Sequence, residues 1–105
     1  MEYKRYKGFE LSRLGYGAMR LPEKDGRIDR EVASTLIDMA IKGGVTYIDT
    51  AVIYHAGDSE VFLGEVLKNY SRDSYCLASK FTISVSSDYK TMFEEQLKRL
   101  GTDYL

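Results

Sequence analysis

A chain of 105 residues has room for one compact domain. Its apolar share of 44% and charged share of 30% are ordinary for a soluble globular chain, and a net charge of -1 gives no electrostatic pull toward nucleic acid or an anionic membrane. No apolar run nears the length of a membrane span, the charged start lacks an apolar leader, and one cysteine excludes an internal disulfide, so the cytoplasm is the expected compartment.

Residues 3–11 predict two short strands around a turn at Lys7 and Gly8, where glycine supplies a positive φ. Residues 14–17 read as a brief glycine-bearing strand. Residues 20–27 hold Pro22 and the pair Asp25 and Gly26, and read as a loop. Asp29 is the expected N-cap of a first helix. In it Val32, Leu36 and Met39, with Ala33, Ile37, Ala40 and Ile41, keep helical spacing. Gly43 and Gly44 stop it. Residues 45–49, apolar and β-branched, make the next strand. Asp58 or Ser59 is expected to cap a second helix with Phe62, Leu63, Val66, Leu67 and Tyr70 on one face. The chain turns at 71–73, and 75–80 read as a third strand. Ser86, Ser87 and Asp88 form a loop and cap. A third helix over about 89–100 turns Phe93, Leu97 and Leu100 inward and stops at Gly101. Residues 102–105 read as the start of a fourth strand.

Strand and helix thus alternate at roughly thirty residues per unit, as βαβ units do. That alternation predicts an α/β fold with a parallel sheet and right-handed crossovers. A closed (β/α)8 barrel takes typically about 250 residues. Residues 1–105 supply about three and a half units, so the expectation is the N-terminal portion of such a TIM barrel, truncated at the start of strand 4. Exposed strand edges would then favour self-association.

In parallel α/β folds functional groups gather at the carboxyl ends of strands. Asp49 ends the second strand, Lys80 ends the third, and Tyr54 lies in the loop between. If the strands are neighbours, the three converge. These types suit proton transfer to a carbonyl oxygen. A phenol is a poor acid at neutral pH, a nearby ammonium stabilises its phenolate, and a carboxylate can hold the ammonium in place. Tyr54 is then the acid, Lys80 its tuner and Asp49 the partner of Lys80. Hydride must come from a cofactor. Each residue also has a plainer reading: a turn former, a surface tyrosine, a solvated lysine.

The chain also resembles the N-terminal part of an aldo-keto reductase. The resemblance rests on Gly15-Tyr-Gly-Ala-Met-Arg20, Gly44-Val-Thr-Tyr-Ile-Asp-Thr-Ala51, Tyr54 with Gly57-Asp-Ser-Glu60, Leu77-Ala-Ser-Lys80 and Phe93-Glu-Glu-Gln-Leu-Lys-Arg-Leu100. The run 54–60 is most similar to a bacterial branch whose members sometimes carry a C-terminal iron–sulfur segment. The resemblance implies a (β/α)8 barrel and an Asp, Tyr, Lys and His tetrad, three of which match Asp49, Tyr54 and Lys80. The fourth is expected beyond residue 105, so the isolated chain is expected to be inactive. It implies NADPH, or NADH, with Gly17, Ala18, Met19, Arg20 and Asp49 lining the nicotinamide, and a small aldehyde or ketone as substrate. The competing expectation is a non-catalytic α/β scaffold or nicotinamide-sensing module.

The remaining candidates carry less. Gly15 and Gly17 lack the third glycine and the helix that a dinucleotide-binding fingerprint requires. Cys76 reads as a buried small hydrophobe, and one histidine and one cysteine far apart predict no metal site. His55 is expected at a pocket rim or exposed. Glu60 is expected to have a structural role at the start of the second helix. Glu94, Glu95, Lys98 and Arg99 read as i,i+4 pairs on a solvated face. Met19 and Phe81 are candidate pocket walls.

Overall fold

A computed structural model describes residues 1–105. The predicted opening hairpin forms: β1 (Tyr3–Tyr6) and β2 (Phe9–Ser12) pair antiparallel, with Tyr3 opposite Ser12 and Tyr6 opposite Phe9. Lys7 at φ 47 and Gly8 at φ 84 make the left-handed two-residue turn that suits the twist of a hairpin. Ser12 and Thr46 then exchange hydrogen bonds. The Ser12 N–H donates to Thr46 Oγ1 at 2.8 Å and the Thr46 N–H to Ser12 Oγ at 2.9 Å. The hairpin is thereby fixed to the amino end of the central strand, opposite to where Asp49 lies.

The central sheet is parallel. β3 (Tyr16–Gly17), β6 (Tyr47–Asp49) and β7 (Cys76–Ala78) lie side by side in that order. Tyr16, Ile48 and Leu77 share one row of the register, and Gly17, Asp49 and Ala78 the next. Because strand side chains alternate between faces, these rows point to opposite sides. Ile48 and Leu77 are buried with Ala33 and Ile37 of α1 (Arg30–Lys42) and Phe62, Leu63 and Leu67 of α2 (Asp58–Leu67). Leu100 of α3 (Tyr89–Leu100) completes that core. The other face carries Tyr47, Asp49, Cys76 and Ala78, all half-buried. Helices therefore cover one face of the sheet and the row bearing Asp49 looks away from them.

Several local expectations are corrected. Residues 20–27 are not a plain loop: β4 (Glu23–Lys24) and β5 (Arg27–Ile28) form a second hairpin, turned by Asp25 at φ 54 and Gly26 at φ 77. The strands are two residues each, too short for alternation to mark them. Asp29 does cap α1, its carboxylate accepting the Val32 N–H at 3.2 Å. Of the two apolar stripes there, Ala33 and Ile37 are buried, while Val32, Leu36 and Met39 are exposed.

Neither Asp58 nor Ser59 caps α2; the cap is Gly57, left-handed at φ 95 after a 3-10 turn over Tyr54–Gly57. Asp58 instead takes the Arg30 guanidinium through two bonds of 3.0 and 2.9 Å. On α3, Met92, Gln96 and Leu100 turn inward, whereas Phe93 is exposed and Leu97 half-buried. A spacing of four fixes that face, and it selects a glutamine over a phenylalanine. Residues 102–105 form no strand; Arg72 holds them, donating to the Tyr104 carbonyl at 2.7 Å and stacking 3.8 Å from its ring. Cys76 is half-buried, and burial raises its thiol pKa.

Candidate active site

The site is assembled at the carboxyl ends of β6 and β7. Asp49 closes β6 opposite Ala78, and Lys80 follows two residues later. Pairing continues beyond the strands: the Thr50 N–H donates to the Ala78 carbonyl at 2.9 Å and the Val52 N–H to the Lys80 carbonyl at 2.8 Å. This brings Lys80 Nζ to 2.6 Å from Asp49 Oδ1 and 2.7 Å from the Thr50 carbonyl. Two of the three ammonium donors are thus committed. The Tyr54 ring centroid stands 5.2 Å from Nζ. All three expected residues meet, although they come from two strand ends and a 3-10 turn.

Desolvation alone would lower the Lys80 pKa, but the hydrogen bond and charge of Asp49, joined by Tyr54, outweigh it and hold the ammonium above the ordinary lysine value. The pair is a charge-assisted bond on a partly open ledge, with side chains 50% and 35% exposed. It orients the ammonium more than it stabilises the fold. The larger surface grooves lie elsewhere, one of about 670 Å³ between Val52, Val61 and Met92, so the site is a strand-end ledge and no cavity.

The segment 17–20 borders the same ledge. Gly17 lies beside Asp49 in the register, and a Cβ built on it would meet nothing within 4 Å. Ala18 is fully buried with both backbone groups occupied: its N–H donates to the Asp49 carbonyl at 2.8 Å and its carbonyl accepts from Ser59 Oγ at 2.9 Å. Met19 and Arg20 are exposed, as is Phe81.

His55 lines a groove with Glu23, Arg27 and Asp58, as the rim expectation had it, but it is not exposed. Its side chain is 8% exposed, Nε2 accepts the Leu21 N–H at 3.0 Å, and Nδ1 lies 3.0 Å from Glu23 Oε1. Accepting at Nε2 places the ring hydrogen on Nδ1. His55 is buried because the hairpin 23–28 folds over it, a contact no local pattern announces.

Behind the ledge Glu60 has the structural role expected of it, in a network whose other members, Ser79 and Gln96, sequence reading missed. Glu60 is fully buried. Its Oε1 accepts from Ser79 Oγ at 2.6 Å and Gln96 Nε2 at 2.8 Å, and its Oε2 from Arg99 Nε at 2.7 Å. Gln96 also donates to the Lys80 carbonyl at 3.0 Å. Arg99 therefore serves this network and not the solvated i,i+4 face expected of it. Next to Glu60 in sequence, the Oγ of buried Ser59 lies 2.8 Å from Thr50 Oγ1. A usable signal existed: Ser59 and Glu60 continue the inward face of Phe62, Leu63 and Val66 back by one turn, as Gln96 lies between Met92 and Leu100 at spacings of four. Every buried side-chain polar atom finds a partner.

Comparison with known proteins shows the family and the fold. The family model for the Aldo/keto reductase family matches residues 13–105. A probable aldo-keto reductase 1 of Glycine max is 32% identical over 110 residues, covering 93% of this chain and 32% of that protein. Among solved structures, a thermostable aldo-keto reductase in complex with the inhibitor epalrestat superposes with a TM-score of 0.82 at 32% identity, covering all of this chain and 40% of the other. An aldo-keto reductase from Klebsiella pneumoniae in complex with NADPH gives a TM-score of 0.79 at 28% identity, covering 91% and 34%. The chain spans about a third of the length of the curated relative, and its strands and helices correspond to part of a (β/α)8 barrel. By its matched residues, its parallel strand order and these likenesses, the chain belongs to the aldo/keto reductase family.

Proposed function

We propose that this chain carries the proton-transfer machinery of a nicotinamide-dependent carbonyl reductase, with Tyr54 as acid, Lys80 as its electrostatic partner and Asp49 as the anchor of Lys80. The observation that carries the reading is the Lys80 ammonium, fixed 2.6 Å from Asp49 with the Tyr54 ring 5.2 Å away. A carbonyl oxygen within hydrogen-bond reach of the phenol would gain negative charge during reduction and take the Tyr54 proton. The ammonium would stabilise the phenolate left behind. Because Asp49 and Thr50 already fix two of its donors, Lys80 needs no reorganisation for this role.

NADPH would supply the hydride when bound. The ledge suits a flat ring: Gly17 leaves open space beside Asp49, and Met19 and Arg20 present free side chains. Ala18, with its backbone groups occupied, would form the floor and offer no polar contact. The Klebsiella relative was solved with NADPH, whereas an Escherichia coli relative 30% identical over 118 residues is an NADH-specific methylglyoxal reductase, so either nicotinamide would serve as the donor. The substrate would be a small aldehyde or ketone admitted from the open side of the ledge.

Replacing Tyr54 by Phe in the complete protein tests this. Carbonyl reduction is expected to fall by about 10²–10⁴-fold, the usual contribution of a general acid, with NADPH affinity nearly unchanged. Normal turnover by the variant would refute the assignment.

A further inference from the structure

His55 takes no part in the proton transfer, yet it follows Tyr54 directly and its ring bonds to a distant segment. Its backbone is left-handed at φ 51 and ψ 40, Ala56 follows at φ 53 and ψ 35, and Gly57 at φ 95. Two consecutive non-glycine residues in that region are costly, and such conformations persist where the surroundings hold them. Here the imidazole bond to Leu21 joins the backbone bonds of the turn in holding them. The left-handed step also separates the two neighbours: Tyr54 faces Lys80, while His55 turns to Leu21.

Leu21 follows Arg20 directly and is buried. Its N–H has the His55 Nε2 as acceptor, and Oε1 of Glu23 on β4 lies 3.0 Å from Nδ1. One imidazole therefore bridges two segments more than thirty residues apart in sequence. One carries Met19 and Arg20; the other carries Tyr54.

We propose that His55 is a positioning residue that locks the nicotinamide-lining segment to the proton-donor segment. The proposal rests on the roles given above to Tyr54 and to residues 17–20. The link sets the distance between hydride donor and proton donor, a quantity on which reduction depends steeply. The chemistry required is a hydrogen-bond acceptor at the Nε2 position in the space of an imidazole. Glutamine can offer its amide oxygen there. Phenylalanine fills the space and offers nothing.

The test compares His55→Phe and His55→Gln in the complete protein, by steady-state kinetics and NADPH fluorescence titration well below both unfolding midpoints. His55→Phe is expected to weaken NADPH binding and lower kcat by about tenfold or more, a modest share of what a misplaced reacting pair can lose. His55→Gln is expected to restore both to within a few-fold. Equal impairment of the two variants would overturn the proposal. So would a His55→Phe protein with a lowered midpoint but unchanged affinity and kcat, which is the signature of a merely structural residue. If His55→Phe does not fold, amide hydrogen exchange of the unsubstituted protein decides: a slowly exchanging Leu21 N–H supports the link and a fast one refutes it. Failure of the underlying reading is separable, because normal turnover by Tyr54→Phe removes the acid while the NADPH affinities of the His55 variants still report on the clamp.

Discussion

Gly64 offers a sharp test of how α2 and α3 meet. A Cβ there would lie 2.2 Å from the Arg99 carbonyl oxygen, 3.1 Å from the Leu100 carbonyl carbon and 3.2 Å from that of Arg99. All three are backbone atoms, so no rotamer change relieves the contact. Ordinary C···O contacts fall at about 3.3–3.6 Å, so α3 would have to retreat by about 1 Å. Two effects compete in Gly64→Ala. Alanine gains about 1 kcal/mol of helix propensity. Overpacking against a fixed neighbour costs about 1–3 kcal/mol, and a main-chain clash belongs at the upper end. The clash wins by about 1–2 kcal/mol, the difference of those two figures. With a urea m-value of about 1–3 kcal/mol/M, the unfolding midpoint should fall by roughly 1 M. Far-UV circular dichroism under urea reads this directly. A midpoint equal to or above that of the unsubstituted chain would refute the packing argument, because it would mean that propensity alone decides.

Two further substitutions probe charges near the site. Arg99→Met leaves the fully buried Glu60 with its Ser79 and Gln96 partners but no cation. Breaking a buried pair costs about 3–5 kcal/mol, and because the Arg99 side chain is 27% exposed the loss should fall near the lower bound. A denaturation midpoint within error of the parent would show that Glu60 does not depend on Arg99. At the start of α2, the hydrogen bonds from Arg30 hold the Asp58 carboxyl below the usual aspartate value of 3.8. A depressed carboxylate contributes stability that is present above its unfolded pKa and lost as pH falls through the folded one. Arg30→Met should therefore be less stable than the parent at pH 7, with the gap closing below about pH 3.8. A gap that stays constant down to pH 2 would count against the pair.

The residues that meet the ledge were legible because strand ends are. The β-branched run 45–49 stops at its first acid, as expected, whereas the strand expected over 75–80 ends at Ala78 and leaves Lys80 two residues beyond it, still beside Asp49 because the Val52 N–H bonds to its carbonyl. Tyr54 follows from its closeness to Asp49. What stayed hidden depends on contacts between distant segments. Nothing near His55 announces that residues 21–23 will close over it. The pair Asp25 and Gly26 is a strong hairpin signal, but strands of two residues leave no alternation to support it. Phe93 outranks Gln96 on hydrophobicity. Gln96 faces inward because Glu60, Ser79 and the Lys80 carbonyl are there to satisfy its amide.

The buried polar residues behind the ledge share one physical role. Ser59 and Glu60 are consecutive in the first turn of α2, and both are fully buried. Ser59 reaches the Ala18 carbonyl beyond β3 and the Thr50 hydroxyl beyond β6. Glu60 reaches Ser79 beyond β7 and, through Gln96, the Lys80 carbonyl. Two adjacent side chains thus tie the ends of all three parallel strands. This requires α2 to begin immediately behind the ledge, so the chain must reverse between Ala51 and Asp58. The left-handed run at His55, Ala56 and Gly57 makes that reversal. Backbone strain beside Tyr54 is therefore the counterpart of the order imposed on Lys80: one short segment carries the proton donor, bends sharply, and delivers the helix that holds its partner in place.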